Sequence, residues 1–279
     1  MVSQDPSLRE ARPDYFWRNA CAFCADVSLF YIAITFISST TVMPAFIGSL
    51  TRSEVIVGMA SGLISAAWLL PQLIVASLVA RLPRKKPAIL RAIWLTRPII
   101  LILAWVVWRY TTVAPIATLA FALFSIVFFF AGDAMASIPW FDVIARALPH
   151  RRRGTVVGIG QALGSLGGVA VGIFVRYALG ESSPWAYPTN FAILFLIGGI
   201  TFLLGGAALF FVYEPPSSQP VASTLPLKQV FASLPRILRE DKPFRKLVLV
   251  KVIVGYVGGA SAFYVLHATR NLGFNIRDA

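Results

Sequence analysis

The chain has 279 residues, 57% of them hydrophobic and only 13% charged, whereas about 25% of the residues in a soluble domain are charged. Its formal net charge is +13, a balance that in a soluble protein would suggest nucleic-acid binding. Here the basic residues are confined to the connections between long apolar runs, which excludes that class and points to a lipid bilayer as the chain's partner.

Residues 1–18 are polar overall and read as a cytosolic tail. The apolar runs that follow predict membrane-spanning helices at about 19–47, 54–80, 89–109, 113–146, 155–180, 190–213 and 246–269. Each is near or above the roughly 20 residues that cross about 30 Å of hydrocarbon as a helix. The fourth run is long enough for its last turns, Asp142 to Arg146, to project beyond the bilayer. Short connections predict that sequential helices are antiparallel neighbours. Residues 214–245 form a basic linker that opens on Glu214-Pro-Pro-Ser-Ser-Gln-Pro220, a stretch that cannot continue a helix. Leu227, Val230, Phe231, Leu234, Ile237 and Leu238 then recur at helical spacing, with Lys228, Arg236 and Arg239 elsewhere on the wheel. That pattern predicts an amphipathic cytosolic helix suited to an anionic inner leaflet.

Lysine and arginine are unevenly distributed. Eighteen fall in the tail, in the connections after spans two and four and in the linker, against four (Arg52, Arg109, Arg270 and Arg277) on the other side. This asymmetry predicts a cytosolic N-terminus in a plasma membrane, the inner membrane in a bacterial-type cell. Trp17, Trp94, Trp105, Trp108, Trp140 and Trp185 fall near span ends, where an amphipathic ring suits the headgroup layer. Cys21 and Cys24 lie within the first apolar helix and read as core packing.

Charges inside the predicted spans are costly, about 2.5–3.5 kcal/mol each at a helix centre on insertion scales, and are therefore functional pointers. They are Asp26 in span one, Arg97 in span three, Asp133 in span four and Lys251 in span seven. In one reading Asp26 or Asp133 pairs with Arg97 to fix helix packing. In the other, one of the two acids faces a cavity and binds a proton or a cationic substrate. Asp142 and Arg146, four apart, are placed to pair at the cytosolic end. The hydroxyl run Ser38-Ser39-Thr40-Thr41, before Pro44, reads as bonding to its own helix backbone, with the lining of a polar path as the alternative. Gly160, Gly164, Gly168 and Gly172 fall on one face of span five, with Gly167 beside them. That face serves either tight packing inside the bundle or a sliding contact between two halves.

The loop Ala76-Ser-Leu-Val-Ala-Arg-Leu-Pro-Arg-Lys-Lys-Pro87 resembles the signature that joins the second and third helices of the major facilitator superfamily. Leu78, Arg81, Arg84 and Lys85 match it, while Ala76, Ala80 and Pro83 stand where the family has its two glycines and an aspartate. Arg153-Gly154, at the turn between spans four and five, matches the family's Arg-Gly. Phe128 stands where the family has an arginine in helix four, and the glycine-rich span five looks like the antiporter signature without its Gly-Pro pair. The loop and the stretch from Asp142 to Gly154 look like a bacterial branch of the family.

The resemblance implies an all-α membrane protein. A six-helix transmembrane bundle of major facilitator type would cover 19–213, and an amphipathic cytosolic linker 214–245. One further transmembrane helix, opening an incomplete second bundle, would cover 246–279. It implies a secondary active transporter, a fragment or truncated form, working by alternating access on an unidentified small solute with a proton as candidate co-substrate. The alternative is a non-transporting scaffold or regulatory half-carrier that pairs with a missing second transporter half or forms a homodimer. Enzymatic activity, cofactors and metals are not expected. The sequence has no nucleotide-binding Gly-x-x-x-x-Gly-Lys-[Ser/Thr] loop. Neither His150, in a basic turn, nor His267 has a nucleophile placed beside it by sequence. Lys251 also lies too near the cytosolic end of its span for a retinal Schiff base.

Overall fold

A computed structural model describes residues 13–79, 82–215, 227–259 and 267. Helices α1 (Pro13–Phe36), α2 (Val42–Leu50), α3 (Glu54–Val79), α4 (Lys86–Thr96), α5 (Ile99–Tyr110), α6 (Pro115–Ala147), α7 (His150–Leu179) and α8 (Thr189–Ala208) follow one another. A 3-10 turn at Leu209–Phe211 ends α8, and α9 (Leu227–Glu240) and α10 (Lys242–Gly259) complete the order. No strand occurs among the described residues. Five segments are long and apolar enough to cross a membrane: Tyr15–Phe36, Lys86–Tyr110, Pro115–Ala147, His150–Leu179 and Thr189–Phe211. The described residues are thus all-α, and their composition and helix lengths are those of a multi-pass membrane protein.

Two expected spans are not continuous helices. The run 19–47 divides into α1 and α2, and the hydroxyl run falls in the break between them. Ser38 Oγ lies 3.1 Å from Thr40 Oγ1, and the Met43 N–H donates to the Ser38 carbonyl at 2.9 Å. These hydroxyls are therefore not the helix-interior groups expected. Pro44 sits in the first turn of α2, where its missing N–H breaks no helical bond. The run 89–109 is interrupted as an α-helix where Arg97 meets Pro98, between α4 and α5, although both residues keep helical dihedrals. Pro98 has no N–H to donate to the preceding turn, so a helical hydrogen bond is lost there. Only part of the run 246–269 is described, as α10. At 33 residues, α6 spans about 50 Å, longer than the hydrocarbon layer, so it extends past the bilayer at one end or both.

Helix pairing departs from the expectation that sequential spans are the main neighbours. Helix α1 packs along α7 and α8, α3 against α6, α4 and α5 against α6, and α5 against α8. Glycines make these approaches close. A Cβ on Gly198 would lie 2.8 Å from Phe36 Cβ, and one on Gly205 3.2 Å from Leu29 Cβ, so this side of α8 is pressed on α1. One residue on, Gly199 and Gly206 face Leu101 at 2.6 Å and Ile93 at 3.1 Å, pressing the other side of α8 on α5 and α4. Two apolar cores result. One gathers Phe46, Phe129, Phe195 and Phe202, and the other Phe23, Ile93, Ile144 and Leu209.

Candidate functional site

Arg97 stands at the break between α4 and α5, with its guanidinium buried. Its Nη2 donates to Asp133 Oδ1 at 3.1 Å, and its Nη1 donates to the Phe202 carbonyl of α8 at 2.9 Å. Asp26 Oδ1, from α1, lies 3.9 Å from Nη1, an ion-pair distance beyond hydrogen-bond reach. Asp26 Oδ2 instead accepts from the indole N–H of Trp140 at 2.9 Å. The Phe30 and Phe202 rings lie 5.7 and 5.9 Å from the guanidinium carbon, within cation–π range. Asp26 and Asp133 are 5% and 6% exposed and Arg97 4%, so three charges are withdrawn from solvent at the junction of α1, α4, α6 and α8.

Local sequence makes this possible. Gly132 precedes Asp133, and any side chain there would overlap Thr96, the residue before Arg97. A Cβ on Gly206 would lie 3.2 Å from Arg97 Nη1, so α8 also leaves room for the guanidinium. Two carboxylates share one cation, and within the protein Asp26 Oδ1 and Arg97 Nε lack a hydrogen-bond partner. An acid in such a position is chemically suited to exchanging a proton or meeting a cation. The Arg97–Asp133 pair, with its direct bond, is suited to holding helices together.

The structure thus brings together three of the four charges singled out in the spans. Lys251 is exposed on α10 and forms no ion pair among the described residues. Two features of the site were not evident in the sequence. Trp140, read there as an interfacial ring, points inward to Asp26 and packs edge-on to Phe23 at 5.6 Å between centroids. The Phe202 carbonyl carries no side-chain signal at all.

A second polar cluster joins the ends of α4, α6 and α8. The Glu214 carboxylate accepts from the backbone N–H groups of Lys85 at 2.7 Å and Lys86 at 2.9 Å, capping α4 from 128 residues away in sequence. Lys86 Nζ donates to the carbonyls of Phe210 at 2.8 Å and Val212 at 2.7 Å. Asp142 pairs with Arg146 at 2.5 Å and also contacts Lys85 Nζ. Arg146 Nη1 lies 3.9 Å from Glu214. Arg153 donates to the carbonyls of Leu148, at 3.0 Å, and Ala145, a cation placed at the C-terminus of α6. Arg84 is exposed, and a side chain on Gly154 would meet open space. The Leu78 side chain and Arg81 lie outside the described residues. Acids distant in sequence, Asp142 and Glu214, therefore meet Lys85 and Lys86 at the start of α4.

Gly160, Gly164, Gly167 and Gly168 face α1. A Cβ on Gly164 would lie 2.5 Å from Tyr31 Cβ, and one on Gly160 2.9 Å from Val27 Cβ. Ser28 Oγ donates across this contact to the Gly160 carbonyl at 3.0 Å. Gly172 meets nothing within 4 Å. The closest contacts of the row therefore lie inside the bundle. Cys24 joins this packed seam, whereas Cys21 is exposed, contrary to the core position expected for both.

No family model, curated protein or solved structure matches the chain.

Proposed function

We propose that this helical unit is the first bundle of a secondary active transporter of major facilitator type, moving a small solute by alternating access with a proton as the coupling ion. One observation carries the reading: the pattern of helix pairing. Take α1–α2, α3, α4–α5, α6, α7 and α8 as spans one to six. The main pairings are then one with five, one with six, two with four, three with four and three with six. Exchanging spans one, two and three for four, five and six leaves that set unchanged. Because spans alternate in direction, the exchange relates two inverted three-helix units, the internal repeat typical of such carriers. The Asp26–Arg97–Asp133 cluster joins the two units, with Asp26 and Arg97 from the first and Asp133 from the second.

Flux tests the proposal. Inside-out vesicles containing this bundle together with the second bundle that the proposal requires would be given a pH gradient read by acridine orange and challenged with a panel of candidate solutes. A proton-coupled carrier collapses the gradient on addition of its solute, and Asp26→Asn combined with Asp133→Asn abolishes the response. Gradient collapse and labelled-solute uptake no greater than in vesicles lacking the protein would reject the carrier reading.

A further inference from the structure

Neither packed core contains a described residue of α9 or α10. Helix α9 is sharply two-faced: Leu234, Ile237 and Leu238 fall on one side, and Arg236, Arg239 and Glu240 on the other. Ile237 is 41% exposed, and the Arg236 side chain, paired with Glu240 at 2.8 Å, is 78% exposed. Asp241 is a tight joint between α9 and α10. Its N–H donates to the Ile237 carbonyl at 2.9 Å, and its side chain accepts from the Phe244 N–H at 2.9 Å, capping α10. From this joint to Leu247, where the apolar stretch of α10, interrupted by Lys251, begins, is six residues, about 9 Å along a helix. A headgroup layer is about 5–7 Å deep on each side of the bilayer. If α10 opens the span that the sequence predicts over 246–269, α9 is held at the headgroups. Residues 227–246 carry six basic side chains against two acidic ones.

We infer that α9 docks on an anionic lipid surface, with Leu234, Ile237 and Leu238 in the acyl boundary and Arg236 and Arg239 at the phosphates. Charge complementarity selects the occupant. A basic, two-faced helix tethered at the headgroups meets acidic lipid before any other partner, and its long cationic side chains reach phosphates while their stems lie on the apolar boundary. The inference rests on α10 as a membrane helix and not on transport.

The test uses the full chain with Cys21 and Cys24 replaced by serine, reconstituted in phosphatidylcholine nanodiscs with or without phosphatidylglycerol. Single spin labels are placed at Leu234, Arg236, Leu238, Arg239 and Val252. With phosphatidylglycerol, labels at 234 and 238 should collide more with oxygen than with a water-soluble nickel chelate, and labels at 236 and 239 the reverse. Without it, nickel access at 234 and 238 should rise severalfold, and Arg236→Glu with Arg239→Glu should produce the same rise in the anionic discs. Nickel access on both faces in either lipid would make α9 a solvated linker and overturn the inference. So would shielding from both probes, which means a protein partner, or anionic-lipid dependence that survives the double Glu variant. The label at 252 reports separately on α10: nickel access there removes the tether and so the basis of the inference. Oxygen access there leaves α9 to be judged on its own pattern, whatever the flux experiments give.

Discussion

Arg97 holds Asp133 by a direct hydrogen bond of 3.1 Å, with both side chains buried between α4 and α6. Asp26, on the other side of the same guanidinium, stands at 3.9 Å and takes its hydrogen bond from Trp140. The two acids are therefore unequal partners of one cation, and their removal should have unequal effects.

Arg97→Ala leaves two buried carboxylates without a cation and should cost about 3–5 kcal/mol, the usual cost of breaking a buried pair from one side. Asp133→Asn loses a charge-assisted bond and should cost about 1.5–3 kcal/mol. Asp26→Asn keeps an oxygen for Trp140 and relieves a carboxylate lacking a full partner, so its cost should be below about 1 kcal/mol. Reversible unfolding in mixed micelles ranks the three. Equal costs for the two acids would contradict the geometry.

Trp140→Phe keeps a ring against Phe23 and removes the indole donor to Asp26. Combined in a double-mutant cycle with Asp26→Ala, which removes the acceptor, it should show a coupling of about 0.5–3 kcal/mol. Zero coupling would mean that the indole and the carboxylate do not interact in the bilayer.

Gly164→Ala and Gly172→Ala form a matched pair on one helix. At Gly164 the added Cβ meets Tyr31 Cβ at 2.5 Å and the Ser28 carbonyl at 2.9 Å, whereas at Gly172 it meets nothing within 4 Å. Overpacking at Gly164 should cost about 1–3 kcal/mol, while at Gly172 the helix propensity of alanine should stabilise by about 0.5–1 kcal/mol. Melting temperatures in detergent should move in opposite directions, and two shifts of the same sign would show that α7 does not seat on α1 as described.

Glu214→Ala removes the acceptor for two N–H groups that open α4. Loss of such a cap should cost about 1–2 kcal/mol and speed tryptic cleavage after Arg84 and Lys85. Glu214→Gln, which keeps one acceptor oxygen, should fall between wild type and alanine. Unchanged cleavage in both variants would show that the carboxylate is not the cap.

The sequence by itself determined that the chain is a series of long apolar helices with rare charges inside them, because run length and charge exclusion are local properties. It marked Asp26, Arg97 and Asp133 as exceptions, and Gly160, Gly164 and Gly168 as a face, through solvation cost and helical spacing. Only the tertiary structure decided that α1 lies against α7 and α8, that one arginine serves two acids, that Trp140 turns inward, and that Glu214 caps a helix 128 residues earlier. The reason is the solvent. In water an apolar stripe reveals which side of a helix is buried, but in lipid both sides are apolar, so neighbours are chosen by the close fit of small residues and by buried polar pairs. Those choices depend on distances between segments far apart in the chain.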